Sequence, residues 1–153
     1  MSVVNLKSND TYGALDATTG ARGLADYAKT RGVLKHAAGK ISNASTDNNG
    51  SVYRMVTLPS DVILHPDTKI DLQGWGYAAA TIGIDTDPDA LLPSVTVAGL
   101  SAPSAPIAMS GIKWNKPLWE QVGLTEDPDG EITLAFYTAA DATGDGIACF
   151  DIV

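Results

Sequence analysis

The segment Glu131-Ile132-Thr133-Leu134-Ala135-Phe136-Tyr137 alternates from end to end. Ile132, Leu134 and Phe136 fall on one face, and Glu131, Thr133, Ala135 and Tyr137 on the other. A two-residue period of this kind marks a strand with one face buried. The turn-forming run Asp141-Ala142-Thr143-Gly144-Asp145-Gly146 follows. Residues 146–153 then make a last strand, with Ala148, Phe150 and Ile152 on its inner face.

The same reading extends upstream. Residues 33–41 form a candidate strand, and Asp47-Asn48-Asn49-Gly50 is a strong turn signal. Residues 51–58 are rich in β-formers (Val52, Tyr53, Val56, Thr57), and Pro59 ends the run. Val62-Ile63-Leu64 is a short apolar run. In residues 69–73, Ile70 and Leu72 point inward. Gly74-Trp75-Gly76 suggests a bend, with Trp75 in the core. Residues 78–84 are small and apolar on both faces, as in a central strand. Residues 85–111 carry Pro88, Pro93, Pro103 and Pro106 and read as a loop, with Val95-Thr96-Val97 their one strand candidate. Pro117 can open a helical turn, Leu118-Trp119-Glu120-Gln121-Val122, that Gly123 stops.

The expected fold is all-β: a jelly-roll-like two-sheet β-sandwich with one or two short helical turns at most. About seven or eight short strands, separated by turn signals, support it. Residues 1–30 are too sparse in apolar positions for a strand or helix stripe, although residues 21–29 have weak helical character that Gly23 opposes. They read as an extended N-terminal arm, and residues 31–153 as a single sandwich domain.

Composition bounds the function. The chain has 153 residues and a formal net charge of −8, which disfavours nucleic acid and anionic membrane surfaces as partners. Mean hydropathy is +0.03, and no stretch approaches the ~20 apolar residues of a membrane span. The start, Met1-Ser2-Val3-Val4-Asn5-Leu6-Lys7, carries no apolar secretory core. A single cysteine, Cys149, excludes an internal disulfide framework. Among the 18 acids only Glu120, Glu126 and Glu131 are glutamate. Aspartate favours turns and caps, so this imbalance again points to many tight connections.

The candidate chemical groups each have a structural explanation. Asp85-Thr86-Asp87-Pro88-Asp89 places acids at alternate positions, as calcium loops do. The calcium-loop template fails at Ala90, where glycine is required, and at Thr96, where glutamate is required. Residues 126–131 and 141–146 stand where hairpins must turn. His36 and His65 have no metal-ligand spacing. Cys149 lacks a neighbouring base and reads as a half-buried filler. No nucleophile elbow, zinc-protease helix or phosphate loop occurs, and no convincing carboxylate pair supports a hydrolase. No catalytic residue, metal or cofactor is expected. Trp114, in Lys113-Trp114-Asn115, is an interface candidate.

One succession of segments resembles a known family. Gly50-Ser51-Val52-Tyr53-Arg54 leads through Val56-Thr57-Leu58-Pro59-Ser60-Asp61 to Ile70-Asp71, Trp75-Gly76 and Ala80-Thr81-Ile82-Gly83. Asp87-Pro88-Asp89-Ala90-Leu91 and Pro117-Leu118-Trp119-Glu120 complete it. This looks like the capsid decoration, or cement, proteins of tailed bacteriophages, with the likeness spanning roughly residues 33–153. It implies a jelly-roll-like sandwich on the outer surface of an expanded capsid. There it would bridge neighbouring subunits of the major capsid protein and associate with itself as a dimer or trimer. On that expectation the arm contributes Val3, Val4, Leu6, Tyr12 and Leu15 to capsid or oligomer contacts, and residues 85–116, with Trp114, supply more surface. The alternative reading is a tail or fibre module that binds host-surface glycans through exposed indoles and Asp-rich loops.

Overall fold

The computed structural model describes residues 5–7, 35–96, 105–106, 113 and 116–153. Among them the elements run β1 (Asn5–Lys7), β2 (Ala37–Asn43), β3 (Val52–Pro59), β4 (Lys69–Gln73), β5 (Ala79–Ile84), β6 (Asp87–Thr96), β7 (Ala105–Pro106), α1 (Leu118–Gln121), β8 (Glu131–Tyr137) and β9 (Gly146–Ile152). Apart from β1, the strands pair like one long hairpin that has been rolled. β2 pairs with β9, β3 with β8, β4 with β7 and β5 with β6, all antiparallel. Rolling brings β4 against β9 and β5 against β8. Two sheets result, ordered β1-β3-β8-β5-β6 and β2-β9-β4-β7. This is the jelly-roll order that the strand count and spacing anticipate.

The inner faces build one core. Tyr53, Ile82, Leu134 and Phe136 come from the five-stranded sheet, and Ile41, Leu72, Phe150 and Ile152 from the four-stranded one. Trp75 is buried, as expected, and lies edge-on to Tyr53 with ring centroids 5.1 Å apart. It also packs on Phe136 at 5.6 Å. Aromatic contacts of this geometry contribute about 0.5–1.5 kcal/mol each beyond area burial.

In β3 the register shifts between Arg54 and Val56. Tyr53 faces Phe136 and Arg54 faces Ala135, but the next pair is Val56 with Leu134. Met55 is the extra residue of a bulge. The bulge turns Val56 inward and sets Thr57 opposite Thr133, where the two hydroxyls meet at 2.8 Å.

The proline-rich stretch departs from the sequence expectation. Residues 87–96 are not loop but the edge strand β6. An edge strand has one side that needs no ladder donor, so Pro88 and Pro93 are tolerated there. The pairing is also irregular. Ile84 faces Asp87 and Ile82 faces Leu92, which leaves the intervening residues of β6 bulged out. Gly83 makes this possible, because a Cβ there would stand 2.1 Å from the Asp87 carbonyl oxygen.

Smaller differences follow from topology. The strand expected at residues 33–41 is β2, Ala37–Asn43. The acidic turns at 126–131 and 141–146 are not hairpins. The first joins α1 to β8, and the second crosses from one sheet to the other. Within the first, Asp129 takes a positive φ of 48°. The Leu118–Gln121 helix forms after Pro117, as read, and ends at Gly123, φ 79°. The Gly123 amide donates to the Glu120 carbonyl and the Leu124 amide to that of Trp119. Together these are the paired bonds of a Schellman cap, which satisfies carbonyls the helix leaves open.

β1 runs parallel to β3, with Asn5 opposite Val52, Leu6 opposite Tyr53 and Lys7 opposite Arg54. The rest of the expected arm lies outside the described residues. Among these, no helix is long and apolar enough to cross a membrane.

Candidate functional site

Three connections are laced together at one end of the sandwich. They are the β2–β3, β4–β5 and β8–β9 segments. Asn43 is the knot: its Oδ1 accepts from the Gly76 amide at 3.1 Å, and its Nδ2 donates to the Gly144 carbonyl at 2.7 Å. The Ala142 amide donates to the Asp47 carbonyl at 2.9 Å, and the Thr143 amide to that of Gly76 at 2.7 Å. A side chain on Gly76 has no room, since a Cβ would fall 1.9 Å from the Gly144 oxygen.

Behind this knot lies a buried polar group. Asp47 Oδ2 accepts from the Tyr53 hydroxyl at 2.6 Å and from the Ala44 amide at 2.9 Å. Tyr53 and Tyr77 hydroxyls are 2.6 Å apart. Tyr53 has one proton and gives it to Asp47, so the Tyr77 hydroxyl donates to Tyr53. Burial, then the bonds to Asp47 and Tyr77, push the Tyr53 hydroxyl far above the usual tyrosine range. Tyr53 is fully buried. This group holds the turn at residues 47–50 onto the core, and its three side chains, Asp47, Tyr53 and Tyr77, are all buried.

A second polar set lies on the outer face of the five-stranded sheet. Arg54 on β3 and Gly83 on β5 flank Ala135 on β8 in register. The Arg54 guanidinium reaches across this small-residue row to Asp85 Oδ2 at 3.5 Å. Tyr137 donates its hydroxyl to Asp85 Oδ1 at 2.8 Å. Burial, followed by Asp85, raises the Tyr137 hydroxyl above its ordinary range. Asp85 itself is open to solvent.

The remaining candidates are dispersed. His36 Nε2 lies 2.5 Å from Asp151 Oδ1, and His65 Nδ1 3.4 Å from Asp67 Oδ2, both at the surface. Cys149 is half-buried on the outer face of β9. No group of three or more potential metal-ligating side chains occurs among the described residues. The ends of β3 and β5 and the start of β8 share one end of the sandwich. Their connections carry exposed Asp61, Asp85, Glu126 and Asp129, and the start of β6 adds exposed Asp87 and Asp89, which makes that end acidic.

Of the expected contact residues, Val3, Val4, Tyr12, Leu15 and Trp114 lie outside the described residues. Leu6 is described by its backbone, as the middle residue of β1. Trp119 is half-buried beside the core. No spacing in the sequence links Asn43, Asp47, Tyr53 and Tyr77 as one group. The turn signal at residues 47–50 was the visible part of the set.

No family model, curated protein or solved structure matches this chain.

Proposed function

We propose that this chain is a structural protein of a bacteriophage head. It binds the outer surface of an expanded capsid and bridges neighbouring major capsid protein subunits. The observation that carries the reading is the jelly-roll order of the strands, built on the segments that bear the resemblance. Those segments are framework: residues 50–61 run through β3, residues 80–91 through β5 and into β6, and residues 117–120 into α1.

Charge supports the placement. A chain of net charge −8 with an acidic end is repelled by packaged DNA and is better suited to the outside of a shell. Many copies on a lattice turn weak single contacts into strong avidity. Binding only the expanded shell would stabilise that state by mass action.

The test is co-sedimentation with expanded shells that lack this protein, with shell melting followed in the same samples. Saturable binding and a higher melting temperature are expected. Absence of binding would overturn the reading. A glycan array separates the alternative, a host-surface glycan module, which requires accessible indoles. Trp75 is buried and unavailable for that role.

A further inference from the structure

We propose that the outer face of the β2-β9-β4 sheet is the contact surface of a two-fold homodimer in which Lys40 of each copy pairs with Asp71 of the other. The capsid reading calls for self-association without naming a surface. This inference supplies one from the charge layout of the sheet, and it does not require a capsid.

Cys149 stands between Lys40 on β2 and Asp71 on β4, and both face it in register. Neighbouring strands are about 4.8 Å apart, so Lys40 and Asp71 sit on strands roughly 10 Å apart. Neither forms an ion pair with a described residue. Asp71 Oδ1 is buried and accepts no hydrogen bond, while Oδ2 accepts from Gln73 Nε2 at 2.9 Å in an exposed bond and is the oxygen within reach of a second copy's lysine.

A two-fold axis lying along β9, above the sheet, exchanges left for right. It places β2 of one copy over β4 of the other. Lys40 then faces the second copy's Asp71, twice over. An axis across the strands would set Lys40 against Lys40, so the layout selects the first arrangement. Sheets stack about 10 Å apart, a gap that a lysine and an aspartate span together.

The rest of the face agrees. Ile147 is 39% exposed, one of two exposed large hydrophobics among the described residues, and lies on the axis against its own copy. Ser42 and Gln73 flank it in register and meet across the axis. The like-charge meeting is Asp151 with Asp151. Lys69 flanks each Asp151 in register and His36 touches it at 2.5 Å, so that row is compensated. Two lysines (Lys40, Lys69) balance two aspartates (Asp71, Asp151) on a chain of net charge −8. These four charges cancel, so two copies can meet on this face without the net repulsion that a chain of this charge otherwise carries.

The full chain, without shells, is tested by sedimentation velocity over roughly 1–100 µM, the range where weak dimers dissociate. A dimer is expected. A short bis-maleimide should link it through Cys149, the one cysteine of the chain. Lys40→Asp and Asp71→Lys should each weaken the dimer by about tenfold or more, and the double exchange should restore it. Lys40→Gln and Asp71→Asn, which only remove charge, serve if a reversal variant fails to fold. A monomer throughout that range would overturn the proposal. So would a dimer indifferent to these substitutions, or one that Cys149 does not cross-link. None of these results touches capsid binding, so the two readings fail separately.

Discussion

The Tyr53 hydroxyl and the Asp47 carboxylate meet at 2.6 Å with both residues buried, one on β3 and the other in the turn before it. The bond ties a loop that has little apolar surface of its own to the aromatic centre of the sandwich. Tyr77 completes it from a different connection.

Removing that hydroxyl therefore leaves two groups unmatched. Tyr53→Phe strips Asp47 of a donor and the Tyr77 hydroxyl of its acceptor. Buried polar groups left unpaired cost about 1–3 kcal/mol. A fall in unfolding free energy of that size is expected by urea denaturation. Asp47→Ala, which also orphans the Ala44 amide, should cost at least as much. A change within experimental error would show that solvent reaches the site.

Alkaline titration tests the same bond from its proton. Burial and hydrogen bonding favour the neutral Tyr53 and Tyr137 hydroxyls in the folded chain. In the unfolded chain both ionise near the ordinary value of about 10. Their contribution to stability is therefore complete below that pH and declines as pH rises beyond it. Absorbance near 295 nm should show fewer ionised tyrosines than the five in the sequence until unfolding releases the rest. The urea midpoint should fall over the same interval.

Two glycines a few ångströms apart should behave oppositely. Gly76→Ala drives a Cβ to 1.9 Å from the Gly144 oxygen and 2.4 Å from Asn43 Nδ2. Overpacking against backbone costs about 1–3 kcal/mol or more, and the loop knot must open. At Gly144 a Cβ meets nothing within 4 Å. Gly144→Ala should leave the melting temperature nearly unchanged. Thermal melting of both variants decides.

The outer-face pair is weak by contrast. Arg54 and Asp85 stand 3.5 Å apart, and the Asp85 side chain is 70% exposed. Exposed ion pairs are worth about 0–1 kcal/mol and fade with salt. Asp85→Ala should cost less than Tyr53→Phe in the same denaturation assay. A larger loss would assign Asp85 a role that its contacts with Arg54 and Tyr137 do not explain.

The cap at Gly123 gives a local test. With φ at 79°, alanine there strains the backbone, and Gly123→Ala should destabilise by about 1 kcal/mol. Leu118→Ala empties a fully buried position and should cost about 2–5 kcal/mol. The two together separate the helix stop from the packing of the helix.

Much of the architecture is legible in the sequence. The alternation of residues 131–137, the inner face Ala148, Phe150 and Ile152, the turn at residues 47–50 and the Pro117 to Gly123 helical turn all rest on short-range physics. A side chain's face follows from strand period, and a turn follows from the φ that Asp, Asn and Gly accept. The sandwich follows from needing to bury several such faces at once.

Tertiary structure alone decided the rest. Strict alternation does not place Tyr53 and Val56 on the same inner face; the bulge at Met55 does, because β3 must match Leu134 and Phe136 on β8. Prolines argue against a strand in general, yet residues 87–96 are one, since an edge has a side that needs no donors. Asp47, Tyr53 and Tyr77 share nothing in spacing that marks a network. Their contact exists because rolling the strands brings the β2–β3 and β4–β5 connections to one end. Local propensity sets what each segment can be, and long-range pairing sets what it faces.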